Sequence, residues 1–147
     1  MANFKWPVRI YYEDTDSGGV VYYANYLKYM ERARTEWLRN FDIDQPYLQE
    51  KHGVVFAVRS VALEYLKPAR FNDLLQVTVI LKRCGKASME FEQNISRVIK
   101  SAKYSLELND NGEHLCEGRV KIACVDAVTF KPRSIPQSVL GEIADEC

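Results

Sequence analysis

The apolar residues of this chain change their spacing twice, and those changes mark out its elements. Residues 7–12, "PVRIYY", alternate apolar and polar, the period of a half-buried strand, with Pro7 at its tolerated first position. From Val21 to Phe41 the period lengthens. Tyr23, Tyr26, Leu27, Met30, Ala33, Trp37, Leu38 and Phe41 recur at three- and four-residue steps, one stripe of an amphipathic helix. Arg32 and Glu36 on its other side stand one turn apart, in reach of an ion pair. "FDIDQP" ends the helix, because Pro46 disfavours helical geometry at Gln45.

After that the strand period returns. "VVFAVRSVALEYL" (54–66) is long and β-branched and stops at "KPAR". "LLQVTVIL" (74–81) alternates, turns at "KRCGK" and resumes as "ASMEFEQNISRVI" (87–99). Residues 102–126 read as two strands around Asn109-Asp110-Asn111-Gly112, where Asn-Gly supplies the positive φ of a tight hairpin. A short helix is predicted from Pro136 to Asp145. Four or five long antiparallel strands need one face covered, and a single helix is long and apolar enough to do it. The prediction is one α+β domain over residues 1–147: a curved antiparallel sheet wrapped around one long central helix. One helix cannot hide every sheet edge, so edges are expected to pair between copies.

Composition narrows the chemistry. A length of 147 residues suits one domain with one core. The net charge of +0 gives no field toward nucleic acid or an anionic membrane, and neutrality eases self-association. "MANFKWPVRI" lacks the pattern of a signal peptide, and no run approaches the ~20 apolar residues of a membrane helix. Cytoplasm is the expected compartment. Cys84, Cys116, Cys124 and Cys147 form no C-x-x-C pair and are expected to be reduced, mostly as small core residues. No metal and no cofactor is expected. The two histidines, His52 and His114, leave little room for a Ser-His-Asp arrangement and are expected at the surface. An enzyme built from this chain must work with carboxylates, hydroxyls and backbone dipoles.

The candidate chemistry lies in "YYEDTDSGGVVYYANY", residues 11–26, where Glu13, Asp14 and Asp16 precede Gly18-Gly19. As an EF-hand it fails, because Asn25 falls where a bidentate Glu belongs. A metal–nucleotide D-x-D site lacks its Gly-rich loop with a lysine. Two readings remain. The aspartates shape a turn through local hydrogen bonds, or one of them is delivered beside the helix N-terminus. That terminus carries about half a positive charge and open N–H groups, which stabilise an oxyanion. A carboxylate beside an oxyanion site suits acyl transfer.

"VRIYYEDTDSGGVVYYANYLKYMERARTEWLR" closely resembles the opening of the hotdog-fold acyl-CoA thioesterases. The branch is the one containing 4-hydroxybenzoyl-CoA thioesterase and the thioesterase of the Tol-Pal gene cluster. "LEYLKPARFNDLL" (63–75) is similar to the same branch, and the likeness spans about residues 7–125. The resemblance implies the hotdog fold and hydrolysis of acyl-CoA thioesters to free acid and coenzyme A. It implies Asp16 as nucleophile or general base, with Asp14 in a structural role. Tyr23 matches a position that alternates between His and Tyr and would donate a hydrogen bond to the thioester. Gly19 and the backbone near Ala57-Val58 would belong to the oxyanion site. Arg83, Lys86 and Ser88 would hold the nucleotide phosphates of CoA. In relatives this site lies across a dimer interface, so a homodimer or homotetramer is implied. A thioester on an acyl-carrier protein fits the same chemistry. Glu31 and Glu36 read as solvated helix positions. The alternative is a non-catalytic hotdog dimer that binds acyl-carrier protein or an acyl ligand, against which Asp16 and the glycines argue.

Overall fold

The computed structural model describes residues 4–98 and 112–147. Five strands form one antiparallel sheet: β1 (Phe4–Arg9), β2 (Val54–Tyr65), β3 (Leu74–Cys84), β4 (Ser88–Arg97) and β5 (Glu113–Asp126). Their spatial order is β1-β3-β4-β5-β2, so β1 and β2 are the edges. Helix α1 (Asn25–Asn40) lies across one face. Met30 packs where a side chain at Gly118 of β5 would sit, and Arg34 Nη1 donates to Gln93 Oε1 of β4 at 2.9 Å. Gln93 Nε2 in turn donates to Met30 O at 3.0 Å, which closes a buried polar link between helix and sheet. Around it Tyr29, Ala33, Trp37, Val77, Phe91, Ile95, Val120 and Ile122 form one apolar core. This is the α+β hotdog arrangement.

Several boundaries differ from the sequence reading. β1 ends at Arg9 rather than residue 12, and Tyr12–Asp14 form a single 3₁₀ turn. α1 begins at Asn25, not Val21, because Val21 is held in a bridge to Thr15 and to the backbone of Ala69. Tyr23 therefore lies outside the helix, and Leu27 of the predicted apolar stripe is exposed. Arg32 does not pair with Glu36. Its guanidinium lies 6.0 Å from the Tyr29 ring centre, and Glu36 pairs with Arg39 instead. Pro46 is not what stops α1. The helix ends at Asn40, Asp42 turns the chain with φ of 58°, and Pro46 lies inside the short helix α2 (Gln45–Tyr47), capped by Asp44. One π-helical turn, Leu48–His52, leads into β2. β3 runs on to Cys84, and the C-terminal helix is the shorter α3 (Gln137–Glu142). The Asn109–Asn111 turn and the strand predicted before it lie outside the described residues.

The cysteines divide. Cys116 and Cys124 are buried free thiols, and burial pushes Cys116 up to about 11, which keeps it protonated and inert. Cys84 and Cys147 overturn the expectation of free thiols: they are joined as a disulfide with Cα atoms 5.5 Å apart. Sequence spacing could not show this, since the pair is 63 residues apart and meets only through the fold.

Candidate active site

The acidic segment folds into a miniature hairpin. Asp16 N donates to Val20 O at 2.9 Å and Gly19 N donates back to Asp16 O at 3.0 Å. Gly19 has φ of 80°, a conformation strained for any residue with a Cβ. Asp16 itself is exposed, and one carboxylate oxygen, Oδ1, accepts from Gly18 N at 2.8 Å. The turn-shaping role and a chemical role are thus compatible: one oxygen orients the group, and the carboxylate still faces solvent.

Asp14 works differently. Its Oδ2 accepts from Tyr11 N at 2.7 Å, and its carbonyl accepts from both Tyr22 N at 3.0 Å and Asn25 Nδ2 at 2.9 Å. The hydroxyl of Tyr29, almost fully buried on α1, lies within electrostatic reach of the Asp14 carboxylate yet closes no hydrogen bond. Burial first, and then that carboxylate, push the Tyr29 phenol far above its ordinary value, so it stays neutral.

The "KPAR" segment backs this turn. Val21 N donates to Ala69 O at 2.8 Å, Val20 bridges to Arg70, and Ala69 N donates to the Tyr26 hydroxyl at 3.0 Å. Tyr23 is exposed, its carbonyl accepts from the Tyr65 hydroxyl at 3.0 Å, and its ring meets Tyr65 edge-on. The Tyr22 phenol is held above its ordinary value, chiefly by the neighbouring Tyr23 hydroxyl. Asp16, Gly19 and Tyr23 therefore gather at the end of the sheet where β2 finishes.

The other sequence-predicted residues gather at the opposite end. Ala57 and Val58 lie near the start of β2, where Ala57 is paired with Ala123 and Ala123 with Ser88. Arg83 and Lys86 flank the same β3–β4 turn, with Arg83 paired to Glu90. From Ala57 to Tyr65 the strand advances by roughly 26 Å. Within one chain, then, the acid turn and the strand at Ala57-Val58 do not meet. A bulge at Arg59, between Val58 and Ser60, interrupts the β2–β5 ladder beside this second group. Next to Val58 a cleft of about 100 Å³ opens between α1 and the sheet, walled by Phe56, Met89, Phe91 and Ile122. Among the described residues no cluster of His, Cys, Asp and Glu is placed to hold a metal.

Sequence reasoning missed Asn25, Tyr65 and Arg70 as neighbours of the acid turn. Asn25 carried a signal, since Asn prefers helix starts, but the helical stripe read through it.

Residues 11–143 match the thioesterase-like superfamily. The chain belongs to that superfamily. It is 40% identical over 139 residues to the acyl-CoA thioester hydrolase YbgC of Escherichia coli O6:H1, covering 95% of this chain and 94% of that protein. Among solved structures, a probable thioesterase from Bartonella henselae is 30% identical with a TM-score of 0.74, covering 92% of this chain and all of that one. The 1,4-dihydroxy-2-naphthoyl-CoA thioesterase Slr0204 from Synechocystis shares the fold at 19% identity. Its TM-score is 0.82, with 98% of this chain and 97% of that one covered.

Proposed function

We propose that this chain hydrolyses acyl-CoA thioesters to a free acid and coenzyme A, with Asp16 as nucleophile or general base. The observation that carries the activity is 40% identity, end to end, with an acyl-CoA thioester hydrolase. What supports Asp16 is its place in the molecule: an exposed carboxylate on a glycine turn tied to the first residue of α1. The helix N-terminus beside it has no side-chain cap, and although Asn25 N and Leu27 N are bonded to Tyr22 O and Ala24 O, its positive end favours an oxyanion.

The two halves of the site come together across two copies of the chain. β2 is a twelve-residue edge strand that exposes Val58, Val61 and Tyr65, an unprotected edge suited to pairing. Antiparallel pairing of two such edges about a dyad near Val61 sets Ala57 of one copy against Tyr65 of the other. Asp16, Gly19 and Tyr23 of one chain then face Ala57 and Val58 of the second, whose cleft takes the acyl group. The backbone N–H near Val58 polarises the carbonyl, Tyr23 donates to the thioester, and Arg83, Lys86 and Ser88 hold the CoA phosphates. The functional unit is a homodimer, two of which form a homotetramer. An acyl-carrier protein fits the same site as thioester donor.

No helix among the described residues is long and apolar enough to cross a membrane, and we place the chain in the cytoplasm. The Cys84–Cys147 disulfide is unusual for a reducing compartment, where most thiols stay reduced. The test is thiol release from a series of acyl-CoAs, short to long and aliphatic to aromatic. Turnover of none of them overturns the reading, whereas turnover that disappears in Asp16→Asn supports it.

A further inference from the structure

We infer that Asn25 is a positioning residue for the reaction, the clamp that fixes the Asp16 turn against the first turn of α1; this rests on the assignment of Asp16 above. Asn25 opens α1, and Asn is among the best residues for capping a helix start. Its side chain does not cap. It turns back and donates through Nδ2 to Asp14 O at 2.9 Å, while its own backbone N–H donates to Tyr22 O at 2.9 Å. One residue thereby grips both arms of the hairpin that carries Asp16, because Asp14 and Tyr22 are themselves joined by the bond from Tyr22 N to Asp14 O. Asn25 is 9% exposed, so water does not substitute for the amide at Asp14 O.

The choice has a chemical consequence. A capping side chain would occupy the helix N–H groups, which an oxyanion needs. By bonding to the loop, Asn25 leaves the first turn of α1 without a side-chain cap and fixes the loop's height above it with the same amide. Asp16 is on an exposed turn whose far arm is tied to Ala69 and Arg70, and this clamp restrains its near arm against the helix. A displacement near 1 Å at a reacting group costs on the order of 10²-fold in rate.

The experiment compares Asn25→Ala, Asn25→Asp and Asn25→Gln with Asp16→Asn, each as the full chain. Steady-state hydrolysis is measured on the best acyl-CoA substrate together with the thermal midpoint. Asn25→Ala is expected to lower kcat by about 10- to 100-fold, with KM within about twofold of wild type, since CoA contacts lie elsewhere. Asn25→Asp keeps the shape but sets an acceptor against Asp14 O, so it should lose as much. Asn25→Gln retains a donor and should recover part of the rate. Should Asn25→Ala fail to fold, the near-isosteric Asn25→Asp decides alone. Full kcat in Asn25→Asp, or a loss that Asn25→Gln does not relieve, overturns the inference. Asp16→Asn separates the two readings. If it abolishes turnover while the Asn25 variants keep theirs, only the clamp falls; if it keeps turnover, the assignment of Asp16 falls and the clamp with it.

Discussion

Asp14 and Asp16 share one turn, and their hydrogen bonds divide the work between them. Asp14 spends its carboxylate on Tyr11 N and its carbonyl on the loop and helix, whereas Asp16 keeps its carboxylate toward solvent. Asp16→Asn should lower kcat by roughly 10²–10⁴-fold, the usual contribution of a general base, with the thermal midpoint almost unmoved. Asp14→Ala should instead cost about 1 kcal/mol of stability and keep most of the turnover. Equal kinetic losses in the two variants would return the whole stretch to a structural turn. A third carboxylate gives a pH signature. Asp126 Oδ1 accepts from Val128 N and Thr129 N, and Arg133 binds Oδ2. These bonds, that of Thr129 first, hold its pKa below the ordinary Asp value. A depressed folded pKa contributes stability that is present above the unfolded value and lost as pH falls through the folded one. Asp126→Asn should therefore melt below wild type at neutral pH, and the two melting curves should converge as pH drops below about 3.9. A gap that persists into acid would show that charge is not the cause.

At the scale of elements, the link from α1 to β4 matters beyond apolar packing. Arg34 and Gln93 are both buried, and among the described residues Arg34 forms no ion pair. Burial lowers the Arg34 pKa, the mark of a cation short of solvent and counter-charge. Gln93→Leu removes its acceptor and the bond to Met30 O together. The expected cost is about 1–3 kcal/mol, the penalty for a buried donor left unpaired, read by denaturant unfolding. A neutral result would mean that the guanidinium reaches water. The helix boundary teaches a related lesson. The apolar stripe runs on through Val21 and Tyr23, yet backbone bonds from Val21 to Ala69 and from Tyr22 to Asp14 hold this segment outside the helix.

For the whole molecule, we propose that the active site belongs to a pair of chains, because the length of β2 separates the two residue groups within one. Mixing tests this directly. Asp16→Asn is expected to be inactive through one group, and Val58→Pro through the other by losing its N–H. Hybrid dimers of the two keep one intact site, so co-refolded chains in equal amounts should recover about a quarter of wild-type activity. No recovery, or a monomer with full activity by light scattering, would place the site within one chain.

The sequence by itself determined the parts whose physics is local. Alternation fixed four of the five strands to within a few residues, the three- and four-residue stripe fixed α1, and the aspartate–glycine pattern marked a turn before it. Each signal lies within a few turns of chain, where side-chain period and backbone preference are decided. Only the tertiary structure decided which of these parts meet. It brought Cys84 to Cys147, set "KPAR" behind the acid turn, and turned Asn25 from a helix residue into a clamp on the loop. It also separated Ala57 and Val58 from Asp16 in one chain. Those relations depend on strand order and register, which arise from packing a whole sheet against one helix and leave no periodic trace in the residues that take part.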